Sequence, residues 1–165
     1  MTIMNPEVSS SAKILIPVGD LVSRELITRA LHALSSFRDP LIVLLHVVEI
    51  PSRTAALDPE VHRHQIQKAE ERLNELARWL TSQGLKVKVR VAVARSAADG
   101  IIEETERDGY LIVFLMKRKM VSRWQRLFQR SVSERVVRHA NCLVLTAPIG
   151  KTSSRSENRA NTKIP

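Results

Sequence analysis

Short apolar runs alternate with amphipathic stretches along most of the chain. Lys13 to Val18 (Lys-Ile-Leu-Ile-Pro-Val) is the first run and predicts a strand. Residues 21–37 then place Leu26, Ala30, Leu34 and Phe37 at three- and four-residue steps, the stripe of a helix, and Asp39-Pro40 breaks it. Leu41 to Val48 is a second continuous strand. Pro51 to Leu57 reads as a loop. Asp58-Pro59 opens a long helix with proline in its first turn; Ile66, Ala69, Leu73, Leu76, Ala77 and Leu80 form its apolar face, and Gly84 closes it. Residues 86–93 alternate, with Val87, Val89, Val91 and Val93 on one face and Lys86, Lys88, Arg90 and Ala92 on the other. Ser96 caps a helix carrying Ala98, Ile101, Ile102 and Thr105, which ends near Asp108-Gly109. Tyr110 to Met116 predicts a fourth strand. Ser131 to Glu134 has the Ser-x-x-Glu spacing of a capping box, opening a helix with Val132, Val136, Val137 and Ala140 inward. Cys142 to Ala147 is a fifth strand, ended by Pro148.

This order, β-α-β-α-β-α-β-α-β, predicts an α/β fold with a five-stranded parallel sheet and helices on both faces. Continuously apolar strands belong in the centre, where both faces are covered. The alternating third strand, with its Lys and Arg, suits an edge. Ligands in such sheets bind beyond the carboxyl ends of the strands. Here those ends are the loops after Val18, Val48 and Met116 and the start of the helix at Ser131.

Composition adds limits. The 165 residues are 44% hydrophobic and 26% charged, a globular balance sufficient for one domain. Residues 12–149 form that domain. Residues 1–11 read as a flexible leader, and residues 150–165, rich in Ser, Asn, Lys and Arg, as a disordered basic tail. No apolar run approaches the roughly 20 residues that span a bilayer, and no signal-peptide pattern opens the chain, so a cytoplasmic protein is expected. The net charge of +9 is local: residues 117–130 hold six basic residues and no acid, and the tail holds four against Glu157. The remaining body is neutral, which argues against a nucleic-acid-binding surface.

Most catalytic chemistry is missing from the pattern. There is no G-x-G-x-x-G after the first strand, no P-loop and no G-x-S-x-G elbow. His62 and His64, two residues apart, do not share a helix face and read as solvated surface rather than metal ligands. His46, in mid-strand, reads as a satisfied core histidine. Cys142 reads as an inert small hydrophobe. No nucleophile–base pair or metal cluster stands out, so a binding role rather than an enzymatic one is expected, with weak nucleotide hydrolysis left open.

Several stretches resemble the universal stress protein family. These are the opening Lys-Ile-Leu-Ile-Pro-Val, Leu-Leu-His46-Val-Val-Glu49, Ala97 with Asp99 to Glu104, Tyr110 to Met116, and above all Ser131 to Leu145. The likeness spans roughly residues 12–148. The first half, with His46 to Pro51, also resembles, more weakly, the universal-stress domains appended to amino-acid transporters. The resemblance implies strand order 3-2-1-4-5, a fold of the adenine nucleotide alpha hydrolase type, and homodimers joined through the strand Cys142 to Ala147.

The resemblance also implies a ligand site. ATP-binding members carry a G-x2-G-x9-G-[ST] loop after the fourth strand, where bare backbone wraps phosphate. Here the three glycine positions are Lys117, Met120 and Arg130; only Ser131 remains. The aspartate expected two residues after Pro17 is Gly19, with Asp20 one step late. Two readings follow. In the first, the ATP cradle is lost and the chain is a regulatory module without a cofactor. In the second, Lys117, Lys119, Arg130 and Ser131 form a basic cradle for ATP, another adenine nucleotide or a different anion. The candidate ligand residues are Pro17, Val18, Gly19 and Asp20 after the first strand and Val47 in the second. Met116, Lys117, Lys119 and Met120 follow the fourth, and Arg130, Ser131, Val132 and Ser133 open the last helix. Arg123, Trp124, Arg126 and Phe128 fall at helical spacing in the same basic segment. They form a candidate patch for a partner, either a membrane transporter or an anionic membrane surface.

Overall fold

A computed structural model describes residues 12–19, 24–50, 59–118 and 132–149. The elements run β1 (Lys13–Pro17), α1 (Arg24–Ala33), β2 (Leu41–Glu49), α2 (Pro59–Ser82), β3 (Lys86–Ala94), α3 (Ala97–Arg107) and β4 (Ile112–Arg118). Residues 132–139 are helical (α4), and β5 (Leu143–Ile149) follows. The five strands form one parallel sheet in the order β3-β2-β1-β4-β5. The expected strand order and the edge position of the alternating strand are both found.

Period-2 side-chain alternation divides the core into two layers. Ile14, Ile16, Ile42, Leu44, Ile112 and Phe114 point to one face, where they pack with Ile27, Ala30 and Leu34 of the α1 region and Leu73 and Leu80 of α2. Leu15, Val43, Leu45, Val113 and Leu115 point to the other, against Ala98 and Ile101 of α3 and Val136 of α4. The central strands are apolar throughout because both their faces are covered this way. α2 ends at Ser82, and Gly84, at φ +84°, makes the left-handed turn into β3.

Several boundaries differ from the sequence expectation. α1 stops at Ala33, yet Leu34 is buried and Phe37 half-buried, because a run of turns carries the apolar side onward. β4 starts at Ile112, not Tyr110. The Tyr110 N–H bonds to the Asp108 carbonyl at 2.9 Å in a turn, and Leu111 is the first residue bonded to β1, through the Lys13 carbonyl at 2.9 Å. β5 continues through Pro148 to Ile149, paired with Lys117 and Arg118. An edge strand tolerates a missing N–H on its open side, so proline does not end it. Val93 and Val137, expected inward, are 47% and 57% exposed. Val93 lies near the end of the edge strand and, unlike Val87, Val89 and Val91, is not packed against the core on that face. Val137 lies beside Val136, which takes the single inward place on that turn of α4.

Candidate functional site

The strand order reverses between β1 and β4: the chain leaves β1 toward β2 and leaves β4 toward β5. A cleft of about 890 Å³ opens there, at the carboxyl ends of the strands. β1 contributes Pro17, followed by Val18 and Gly19. The end of β2 contributes His46, Val47 and Glu49, and β4 contributes Leu115 and Met116. α3 brings Ala97 and Ile101, and α4 brings Val132 and Ser133. The wall opposite α3 is the face of α2 that carries Gln65, Lys68, Ala69 and Arg72. A smaller cavity of about 160 Å³ adjoins it between α1 and α2. Val18, Gly19, His46, Ala69 and Arg72 line both spaces.

Hydrogen bonds fix much of the rim. His46 Nδ1 lies 2.8 Å from the Val18 carbonyl. A carbonyl only accepts, so Nδ1 carries the proton and the ring is held in one tautomer. The Glu49 carboxylate accepts the Ala97 N–H at 2.7 Å, satisfying a free donor in the first turn of α3. Ser96 caps the same helix as expected: its Oγ accepts from the Asp99 N–H at 3.2 Å and donates to the Asp99 carboxylate at 2.6 Å. Arg135 of α4 donates to Ser96 Oγ at 3.1 Å and pairs with Asp99. The Ser96 hydroxyl first, and Arg135 after it, hold the Asp99 carboxyl below the usual carboxylate range. This latch ties α4 to the start of α3 beside the cleft.

Of the residues named from sequence, Pro17, Val18, Gly19, Val47, Met116, Val132 and Ser133 come together as cleft lining. Lys117 lies on β4, one residue past Met116. Asp20, Lys119, Met120, Arg130 and Ser131 lie outside the described residues, as do Arg123, Trp124, Arg126 and Phe128 of the partner patch. The leader and basic tail lie outside them too.

Other lining residues were not legible from sequence. Lys68 and Arg72 look like ordinary solvated positions of a long helix. The one available signal was their spacing, since Gln65, Lys68, Ala69 and Arg72 recur at i, i+3, i+4 and i+7 beside the apolar stripe. Glu49 carried no signal, because its partner lies 48 residues away.

Three expectations are corrected. His46 is half-buried and forms part of the cleft wall rather than the core. His64 is exposed, but both ring nitrogens of His62 are buried with no hydrogen-bond partner among the described residues. Two residues span about 200° around a helix, so the pair does not share one face: His64 is exposed and His62 half-buried. Cys142 precedes β5 rather than starting it, half-buried, and desolvation pushes its thiol up, away from thiolate reactivity. Among the described residues no group of His, Cys, Asp or Glu is placed to hold a metal, and no helix is long and apolar enough to cross a membrane.

The model of the universal stress protein family matches residues 11–148. Among solved structures, the universal stress protein UspA from Lactobacillus plantarum is 20% identical, with a TM-score of 0.65 over 82% of this chain and 96% of that one. The universal stress protein from Archaeoglobus fulgidus, solved in complex with dAMP, is 17% identical, with a TM-score of 0.57 over 82% and 96%. A universal stress protein family protein from Arabidopsis thaliana, solved with AMP bound, is 18% identical, with a TM-score of 0.56 over 88% and 97%. At these identities the likeness establishes the fold. No curated protein matches the chain.

Proposed function

The chain belongs to the universal stress protein family, and from that membership we propose a regulatory binding module, not an enzyme, whose cleft takes a small adenine nucleotide without the usual grip on a polyphosphate. The cleft itself carries this reading. Its volume of about 890 Å³ lies within the roughly 300–1,000 Å³ of small-molecule sites. It mixes an apolar wall, from Val47, Ile101, Leu115, Met116 and Val132, with a few polar groups. A Cβ added at Gly19 would meet nothing within 4 Å among the described residues. These residues fit a nucleoside: the apolar wall would take the base, and the polar rim would meet the sugar and a phosphate. Two relatives of the same fold were solved with dAMP and AMP.

The polyphosphate part is different. Lys117, Met120 and Arg130 replace the glycines that would let backbone N–H groups approach a second and third phosphate. A binding role also agrees with the polar groups of the cleft, because His46 Nδ1 and Glu49 are engaged with backbone rather than with each other.

The proposal includes homodimers joined along β5. Leu143 and Leu145 on that strand are 62% and 41% exposed. An apolar edge strand without charge is protected by pairing with a second copy.

Calorimetry with adenosine, AMP and ATP tests the ligand. AMP is expected to bind saturably, and ATP no tighter than AMP within about threefold, less than 1.4 kcal/mol. ATP binding ten times tighter than AMP would overturn the loss of the cradle. If that preference then vanished in the Lys117→Ala, Arg130→Ala double variant, the basic-cradle reading would replace it.

A further inference from the structure

Resting on the nucleotide reading above, we infer that His46 is the positioning residue of the cleft. Its side chain takes the Val18 carbonyl and so leaves the Val47 backbone N–H, the next donor in line, open to an acceptor on the ligand's base.

The pairing of β1 with β2 runs from Lys13 with Leu41 to Pro17 with Leu45 and stops there. Val18 still donates its N–H to the Leu45 carbonyl at 2.7 Å. In a parallel ladder, alternate residues of a strand turn both backbone groups to the same neighbour. Leu45 and Val47 therefore face β1. The residues between them face β3, as the Ile50 N–H does at 2.8 Å from the Ala94 carbonyl. One more step of the β1–β2 ladder would carry the Val47 N–H to the Val18 carbonyl. That bond is absent, because the register ends one residue earlier.

The Val18 carbonyl accepts from His46 Nδ1 instead, at 2.8 Å. By strand alternation His46 lies on the face of the sheet that carries Ile42 and Leu44. A donor on that face turns the carbonyl out of the plane of the ladder, since a hydrogen bond is strongest along the carbonyl's own direction. Val47 is left with a backbone donor that no described residue accepts. The residue is half-buried and lines the cleft. Backbone N–H groups with restricted access to water are nearly always paired, and a few placed backbone groups in an apolar wall are what orient a small ligand. Ile101, Leu115 and Met116 supply that wall. His46 acts here through Val18.

The test joins amide hydrogen exchange by NMR with calorimetry, using AMP and adenosine, on wild-type protein, His46→Phe and His46→Asn. Phenylalanine keeps a ring and loses the donor; asparagine keeps a donor close to the place of Nδ1. His64→Phe, at an exposed position of α2, is the control. Without ligand, the wild-type Val47 amide should exchange about tenfold faster than that of ladder-paired Leu45, and AMP should slow it by about tenfold. In His46→Phe the released Val18 carbonyl should pair with Val47 and slow its exchange without ligand. AMP and adenosine, which share the base, should then weaken alike, by about tenfold, the scale of one hydrogen bond. His46→Asn should bring both affinities back to within about threefold of wild type, and His64→Phe should change nothing. Unchanged affinities in a folded His46→Phe variant, or a loss confined to AMP, overturn the proposal. So does a wild-type Val47 amide that exchanges as slowly as Leu45 without ligand, or one that AMP leaves unprotected. These last two are read on wild-type protein, so they decide even where a thermal melt shows His46→Phe unfolded. In each of these cases AMP still binds, and the nucleotide reading stands. If wild-type protein binds neither AMP nor adenosine, the nucleotide reading falls and takes this proposal with it.

Discussion

Glu104 shows what a single residue does here that its sequence position hides. It is a carboxylate only 3% exposed. It accepts the Tyr110 hydroxyl at 2.7 Å and Arg90 Nε at 3.1 Å, so α3 is tied both to the turn before β4 and to edge strand β3. Burial, and then the bond to Glu104, push the Tyr110 phenol well above its ordinary range. Glu104 in turn raises the Arg90 guanidinium. Above them Lys13 pairs with Asp108 at 2.6 Å and lies 5.6 Å from the Tyr110 ring centre. Glu104→Ala would strand a buried hydroxyl and remove the partner of Arg90. Urea unfolding should show a loss of about 2–4 kcal/mol, and Glu104→Gln, which keeps an acceptor for Tyr110, a smaller one. A loss under about 0.5 kcal/mol, the range of ordinary surface substitutions, would show the network to be incidental. In the sequence, Glu103 and Glu104 are neighbours of equal appearance. Only the approach of α3 to Tyr110 and Arg90 separates them.

At the scale of an element, α3 reports how closely a helix sits on the sheet. A Cβ on Gly100 would lie 2.6 and 2.8 Å from the two γ-methyls of Val47 and 3.2 Å from the Ala94 Cβ. Helix propensity favours Gly100→Ala by up to about 1 kcal/mol. The clash falls on a stiff β-branched side chain and a fixed Cβ, and overpacking of this kind costs about 1–3 kcal/mol. We expect a net loss of about 1–2 kcal/mol in chemical denaturation. AMP binding should weaken with it, because Val47 lines the cleft. A neutral or stabilising result would mean that α3 can lift from β2 at no cost. The helix was legible from Ser96 and from its apolar spacing, and its cap formed as read. The reason for a glycine inside it was not, because the contact is made by a strand some 50 residues earlier in the chain. β4 and β5 are similar cases. Their apolar runs were visible, but their ends were set by pairing register, which carried both to Arg118 and Ile149.

For the whole molecule, the sheet has two edges treated in opposite ways. β3 carries Lys86, Lys88 and Arg90, all exposed, and these discourage pairing with another chain. β5 exposes Leu143 and Leu145 instead. Light scattering after size exclusion should therefore give about twice the 18.6 kDa of one chain. Leu143→Lys with Leu145→Lys should return it to one chain's mass while far-ultraviolet circular dichroism stays unchanged. A wild-type protein that runs as a monomer at tens of micromolar, or a double variant that stays dimeric, would remove β5 as the joint.

The sequence alone determined the element order, the parallel sheet and the edge place of β3. These follow from local periodicity, which side chains impose within a few residues of themselves. That Lys, Met and Arg stand at positions 117, 120 and 130 was equally plain, since it is read letter by letter. Tertiary structure alone decided which polar residues share the cleft. Lys68 and Arg72 of α2, Glu49 of β2 and Ser133 of α4 come together only because four crossovers bring distant carboxyl ends to one side of the sheet. No spacing rule along the chain records that meeting.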